Sequence, residues 1–184
     1  MDNAVGLIGL GAIGLPAAKN LIERGFQVHG YRRSNMAEFA DAGGKPAASP
    51  RDLAKQCQVV ITCLPDAKAV DEAIAGPNGM LSAGRKGLVI VELSTLKLSD
   101  KERMRDLVAQ ANGTLLDAPL SGLPNMVKQR TAVIFVSGDQ QAYETAKAAL
   151  EGITDKAFHL GEFGVGTKMK FAANLLVACI SSRK

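Results

Sequence analysis

AVGLIGLGAIGLPAAKNLIERGFQVHGYRRS, residues 4–34, decides how the rest of the chain is read. It opens with a short apolar run, Ala4–Ile8, that has the composition of a buried strand. The loop Gly9-Leu10-Gly11-Ala12-Ile13-Gly14 follows, then a helical pattern over Ile13–Arg24 and a second strand pattern over Gln27–Tyr31. Each glycine has a separate physical reason. Gly9 permits a tight turn, Gly11 lets backbone approach a pyrophosphate, and Gly14 lets helix and strand pack closely. A diphosphate then meets free N–H groups at the positive end of a helix dipole. A plain glycine-rich turn is the alternative, and the coincidence of strand, loop, helix and second strand at this spacing argues against it.

The second strand ends in Tyr31-Arg32-Arg33-Ser34. A carboxylate at this point would accept from a ribose 2′-hydroxyl and repel a 2′-phosphate. Arginine does the opposite, because its guanidinium fork binds phosphate through charge-assisted, often bidentate hydrogen bonds. The expected ligand is therefore NADP(H), held by Gly9 to Gly14 and by Arg32, Arg33 and Ser34. The alternative is a pair of solvated arginines at a strand end.

Outward from this unit, short apolar runs alternate with helical stretches. Strands are expected at Val59–Cys63, Leu88–Glu92, Thr114–Asp117, Ala132–Ser137 and Ala157–Leu160. Helices are expected near Met36–Ala42, Pro50–Gln56, Ala67–Ala75, Ser99–Asn112 and Gln140–Leu150. This alternation predicts an α/β fold of the doubly wound, Rossmann type with a mostly parallel sheet. Residues 1–160 are read as that domain. The segment 161–184, with glycines at its start and the apolar run Leu175–Ile180, is read as the start of a helix leading into an all-helical domain absent from this chain. An apolar helix at a chain end needs another subunit or a further domain to pack on, and truncation is the preferred explanation.

Composition removes other classes. Net charge is only +4, and aromatics are 4% of residues with no Trp, so the stacking platforms of a single-strand nucleic-acid binder are lacking. No apolar run approaches the ~20 residues of a membrane span. Cys57, Cys63 and Cys179 lie in apolar segments without disulfide or metal-ligand spacing. A soluble, cytoplasmic protein with no metal is expected.

The segments GLIGLGAIGLPAAKNL (6–21), VITCLPD (60–66), VELST (91–95), LLDAPLSG (115–122) and GVGTKMKFAANLL (164–176) share the order and spacing of the β-hydroxyacid dehydrogenases, and the chain closely resembles the N-terminal part of that family. The family includes 3-hydroxyisobutyrate dehydrogenase, tartronate semialdehyde reductase and glyoxylate/succinic semialdehyde reductases. The resemblance implies a Rossmann domain followed by a helical domain, with hydride transfer between NADP(H) and a small hydroxy acid or semialdehyde in the cleft between them. It places Leu64-Pro65 and Ser94-Thr95 beside the nicotinamide and its ribose, and Ser121-Gly122 on the substrate carboxylate. Lys170 becomes the catalytic acid/base, and Asn174 orients the substrate.

Residue spacing agrees with this carry-over, because positions four apart share a helix face and Lys170 and Asn174 can reach one substrate. Lys168 points elsewhere. Asp117 and His159 read as local structure, and Cys63 as a small buried residue. Three positions depart from the family: Ile13 replaces Met, Ala173 replaces the first of two asparagines, and Leu123-Pro124-Asn125-Met126 replaces a glycine-rich run. Relatives carry roughly a further hundred residues of helical domain, which closes the site and supports dimerisation. Without that domain the chain is expected to bind cofactor with little or no turnover, because water is not excluded around Lys170. The competing reading is a non-catalytic dinucleotide-binding module or a truncated inactive domain.

Overall fold

A computed structural model describes residues 3–181. The first two residues of the expected 1–160 domain and the last three of the 161–184 segment lie outside the described residues. Six strands form one parallel sheet: β1 (Ala4–Ile8), β2 (Gln27–Tyr31), β3 (Lys45–Pro46), β4 (Val59–Thr62), β5 (Val89–Glu92) and β6 (Thr114–Asp117). Their spatial order is β3-β2-β1-β4-β5-β6. The order reverses between β1 and β4, and the crevice outside their carboxyl ends is where ligands of such sheets bind. The doubly wound Rossmann architecture is thus present.

Side-chain alternation along these strands builds two cores. Val5, Leu7, Val59, Ile61, Val89, Val91 and Leu116 face one way, against α1 (Gly14–Glu23) and α7 (Gln140–Ile153). Ile8, Val60, Ile90 and Leu115 face the other way, against α3 (Pro50–Gln56), α4 (Ala67–Ala75) and α5 (Leu98–Gln110). Both faces are covered, so β1 and the first three residues of β4 and β5 are apolar in succession, as a buried parallel sheet requires. Close approach of α1 and α7 rests on small residues: Ala17, Ala18, Ala142, Ala146 and Ala149 are all buried. Buried Asn20 ties α1 to its surroundings, donating to the carbonyls of Val127 at 2.7 Å and Ile153 at 3.0 Å.

The strands expected at Ala132–Ser137 and Ala157–Leu160 exist as β8 (Val133–Val136) and β9 (Lys156–His159), but they leave the main sheet. They join β7 (Leu120–Ser121) in a three-stranded sheet of order β7-β8-β9, with β7 antiparallel to β8. A single bridge between Asp117 and Ser137 connects this sheet to the end of β6. Sequence reading missed β3, β7 and the short helix α6 (Pro124–Lys128), since two to five residues are too few to establish a period, and it missed the glycine-lined slot behind α2 (Ala37–Asp41).

That slot holds Phe39 of α2 (Ala37–Asp41), which is 1% exposed. A Cβ at Gly30 would lie 2.6 Å from its ring, and one at Gly44 would meet the same ring, so β2 and the turn before β3 must be bare there. Truncation Phe39→Ala should cost about 3–5 kcal/mol, the usual range for emptying a buried aromatic site. Urea unfolding monitored by circular dichroism checks this, and a loss under about 1 kcal/mol would show that the slot collapses around the vacancy.

Candidate functional site

Strand β1 turns into α1 under close steric constraint. Gly9 has φ +97°, and a Cβ there would meet the carbonyl of Cys63 at the end of β4. A Cβ on Gly14 would meet the carbonyl of Gly9. Gly11 has open space around its Cα and is exposed, so the loop is bare on its outer side. Helix α1 begins at Gly14 with no side-chain cap and no acidic residue in its first turn. The amino end of a helix is thereby left to an outside acceptor, which fits a diphosphate.

The loop forms one wall of a cavity of about 610 Å³. Its lining brings together Gly9, Leu10, Gly11, Arg32, Arg33, Ser34, Leu64 and Pro65, all expected around the ligand from sequence. Arg32 lies across the loop: its Nε donates to Ser34 Oγ at 2.7 Å and its Nη1 to the Leu10 carbonyl at 2.9 Å. Arg33 is exposed and has a loose ion pair, 4.0 Å from Glu72. The two arginines therefore differ. Arg32 is largely committed to holding the loop and Ser34, whereas Arg33 has its guanidinium available.

Ser94 is buried and its hydroxyl accepts from the Leu64 N–H at 2.9 Å, which joins two expected site segments directly. Thr95 beside it is exposed. Lys170 sits in α8 (Val165–Ser181) and donates to Ser121 Oγ at 3.2 Å, the contact that unites the last two expected segments. Burial lowers the pKa of Lys170 below the ordinary lysine value. Asn174 lies one turn further along α8 and is exposed, as is Lys168. Gly122 is required by packing as well as by any anion, because a Cβ there would lie 2.8 Å from the Cβ of Ala132.

Beneath these residues lies a buried charged cluster whose centre sequence reading missed. Lys101, Glu92 and Asp117 are each 0% exposed. The Lys101 ammonium is 2.9 Å from Glu92 Oε2 and 2.8 Å from Asp117 Oδ1. Asp117 also accepts from the Thr167 N–H at 2.8 Å, the Thr167 hydroxyl at 2.7 Å and the Ser137 hydroxyl at 3.1 Å. A signal did exist for Lys101. It lies in register with Met104 and Val108 on the one buried stripe of α5, where a lysine needs a partner.

Residues 4–161 match the family described as the NAD binding domain of 6-phosphogluconate dehydrogenase. Over 179 residues the chain is 34% identical to the L-threonate dehydrogenase of Cupriavidus necator, covering 96% of this chain and 60% of that protein. The solved structure of Mycobacterium tuberculosis 3-hydroxyisobutyrate dehydrogenase with L-serine superposes at a TM-score of 0.89 with 27% identity, over 97% of this chain and 61% of that one. Psf3 in complex with NADP+ and 2-OPP superposes at 0.88 with 26% identity, over 94% of this chain and 62% of that one. The chain thus spans about 60% of the length of the relatives it matches first.

Cys63, whose carbonyl Gly9 approaches, also lines the cavity, and its thiol is held in the protonated form. Burial and the neighbouring Glu92 carboxylate push its thiol up to about 12. Near neutral pH the thiol therefore carries almost no reactive thiolate. Iodoacetamide labelling mapped by mass spectrometry should leave Cys63 unmodified in the folded protein and modify it after unfolding. Cys63 is only half-buried and lines the cavity, so rapid labelling in the folded state would contradict the raised thiol pKa.

Proposed function

The chain belongs to the β-hydroxyacid dehydrogenase family, which shares the NAD binding domain of 6-phosphogluconate dehydrogenase, and on that premise we propose that it binds NADP(H) and serves reversible oxidation of a small hydroxy acid to its carbonyl acid or semialdehyde. One observation carries the catalytic part: the Lys170 ammonium on the Ser121 hydroxyl at 3.2 Å, with burial lowering its pKa. A bound dinucleotide supplies or accepts the hydride. The chain's own residues do the rest. Lys170 donates a proton to the oxygen that becomes an alkoxide during reduction, and its neutral amine takes that proton during oxidation. Ser121 and the backbone at Gly122 hold a substrate carboxylate oxygen, and Asn174 orients the substrate from the same helix. Leu64, Pro65, Ser94 and Thr95 border the nicotinamide end of the site.

The substrate class rests on the relatives' own names, an L-threonate dehydrogenase and a 3-hydroxyisobutyrate dehydrogenase with L-serine, both pointing to a short hydroxylated carboxylate. The preference for NADP(H) rests on Arg32, Arg33 and Ser34 in the cavity wall, with Arg33 as the main 2′-phosphate ligand because Arg32 is already committed. Residues 1–160 are assigned as the dinucleotide domain and 161–184 as the start of an interdomain helix. Leu175, Leu176, Val177 and Ile180 are each at least 64% exposed and would offer a helical domain an apolar face. Water exclusion around Lys170 and dimerisation are assigned to that domain, so the 184-residue chain alone turns over little. No described helix is long and apolar enough to cross a membrane, and we assign the protein to the cytoplasm.

Fluorescence titration should show NADPH binding at least about tenfold tighter than NADH, and Arg33→Ala should abolish that ratio while sparing NADH. Equal affinities in the unmodified protein would overturn the NADP(H) assignment. In the protein together with its helical domain, Lys170→Met should lower kcat by about 10²–10⁴-fold with the NADPH Kd unchanged. The pH dependence has a definite sign. Reduction needs protonated Lys170, so its rate falls as pH rises through the lysine's pKa, which lies below the ordinary ~10.4. Oxidation rises across the same window. Profiles of kcat that lack this opposition would remove Lys170 from the acid/base role.

A further inference from the structure

Lys101 is a poor choice if stability alone is at stake. Burying three charged groups costs desolvation, and apolar residues of similar volume are often as stable or more so. Glu92 and Asp117 are also direct register partners on β5 and β6, so two carboxylates stand side by side in the interior. One ammonium between them offsets their repulsion.

What that ammonium connects is more informative than its energy. On one side Glu92 Oε1 accepts from the Ser94 N–H at 2.9 Å, and Ser94 Oγ accepts from the Leu64 N–H at 2.9 Å. Leu64 lines the dinucleotide cavity. On the other side Asp117 takes both the N–H and the hydroxyl of Thr167. Thr167 is in the first turn of α8, three residues before Lys170. Ser137 adds a second clamp on that turn, its hydroxyl accepting from the Gly166 N–H at 2.9 Å and donating to Asp117. Every link is buried or partly buried, so water competes little for these bonds.

We propose that Lys101 is a positioning residue: through Glu92–Ser94–Leu64 and through Asp117–Thr167 it holds the nicotinamide side of the cavity and the helix carrying Lys170 in one fixed relation. Lys101 touches neither substrate nor cofactor. It keeps two reacting partners from different parts of the chain in register, where a misplacement of about 1 Å can cost on the order of a hundredfold in rate. This role rests on the dehydrogenase reading above.

Two readouts separate positioning from mere stability, both taken on folded protein: the NADPH Kd, and the titration midpoint of Lys170 by NMR after ¹³C-methylation, its signal assigned by its loss in Lys170→Arg. Lys101→Met should move both. The Kd should rise roughly two- to thirtyfold, and the Lys170 midpoint should shift up towards those of exposed lysines as α8 loosens. Should the unpaired carboxylates prevent folding, Glu92→Gln/Lys101→Met keeps the cluster's net charge and should show the same two changes. Thr167→Val cuts only one branch and should raise the Lys170 midpoint with the NADPH Kd within about twofold. Variants that lose thermal stability but keep both readouts at the unmodified values overturn the positioning role, as does a Thr167→Val protein in which the Lys170 midpoint is unmoved. An unmodified protein that binds neither NADPH nor NADH overturns the dehydrogenase reading itself, and this role with it.

Discussion

Side chains are excluded where β1 passes into α1, and most of the architecture follows from that exclusion. Gly9 lies against the Cys63 carbonyl and Gly14 against the Gly9 carbonyl, so two strands and a helix meet through backbone alone. Adding a single methyl group at either point would push β4 from β1 or lift the helix from the loop. Because the contact is kept, the amino end of α1 stays at the point where strand order reverses, and the cavity opens beside it. The cost is a turn with positive φ at Gly9, which glycine adopts without the strain another residue would carry.

Around that contact the chain places its charges in two ways. Cations at the cavity, Arg32 and Arg33, stay at least partly accessible and make interactions a ligand can share or displace. Lys101 is the opposite case, with both carboxylate partners and no exposed surface. Lys170 falls between, partly buried on a single hydroxyl partner, and there desolvation shifts its proton equilibrium. Burial without a counter-charge tunes a group, whereas burial with two counter-charges fixes it in place.

Much of this is legible in the sequence. The glycine spacing and the apolar runs of β1, β4, β5 and β6 carried the doubly wound fold, because a sheet covered on both faces demands strands with apolar residues in succession. Gly9, Leu10, Gly11, Arg32, Arg33, Ser34, Leu64 and Pro65 in the cavity wall follow strands and could be picked out for that reason, whereas Pro50, Ala69, Glu72, Ala73, Pro77 and Asn78 come from α3, α4 and the turn after it and carried no such signal. The small sheet was not. β8 and β9 have ordinary strand composition, and nothing local tells a strand which sheet it will join. Asp117 looked like a strand-end residue of local interest, and only its four donors, drawn from α5, α8 and β8's neighbourhood, reveal it as a junction.

The sequence by itself determined the dinucleotide fold and the family, because both are written in short-range spacing: glycines within one turn, apolar runs of strand length and ordered motifs between them. The tertiary structure alone decided which segments touch. Ser94 reaches Leu64, Lys170 reaches Ser121, and Lys101 gathers Glu92 and Asp117 across sequence separations of 30, 49, 9 and 16 residues. Such contacts depend on how strands order themselves and how deeply a helix face is buried, and a linear pattern of residue types encodes neither quantity directly.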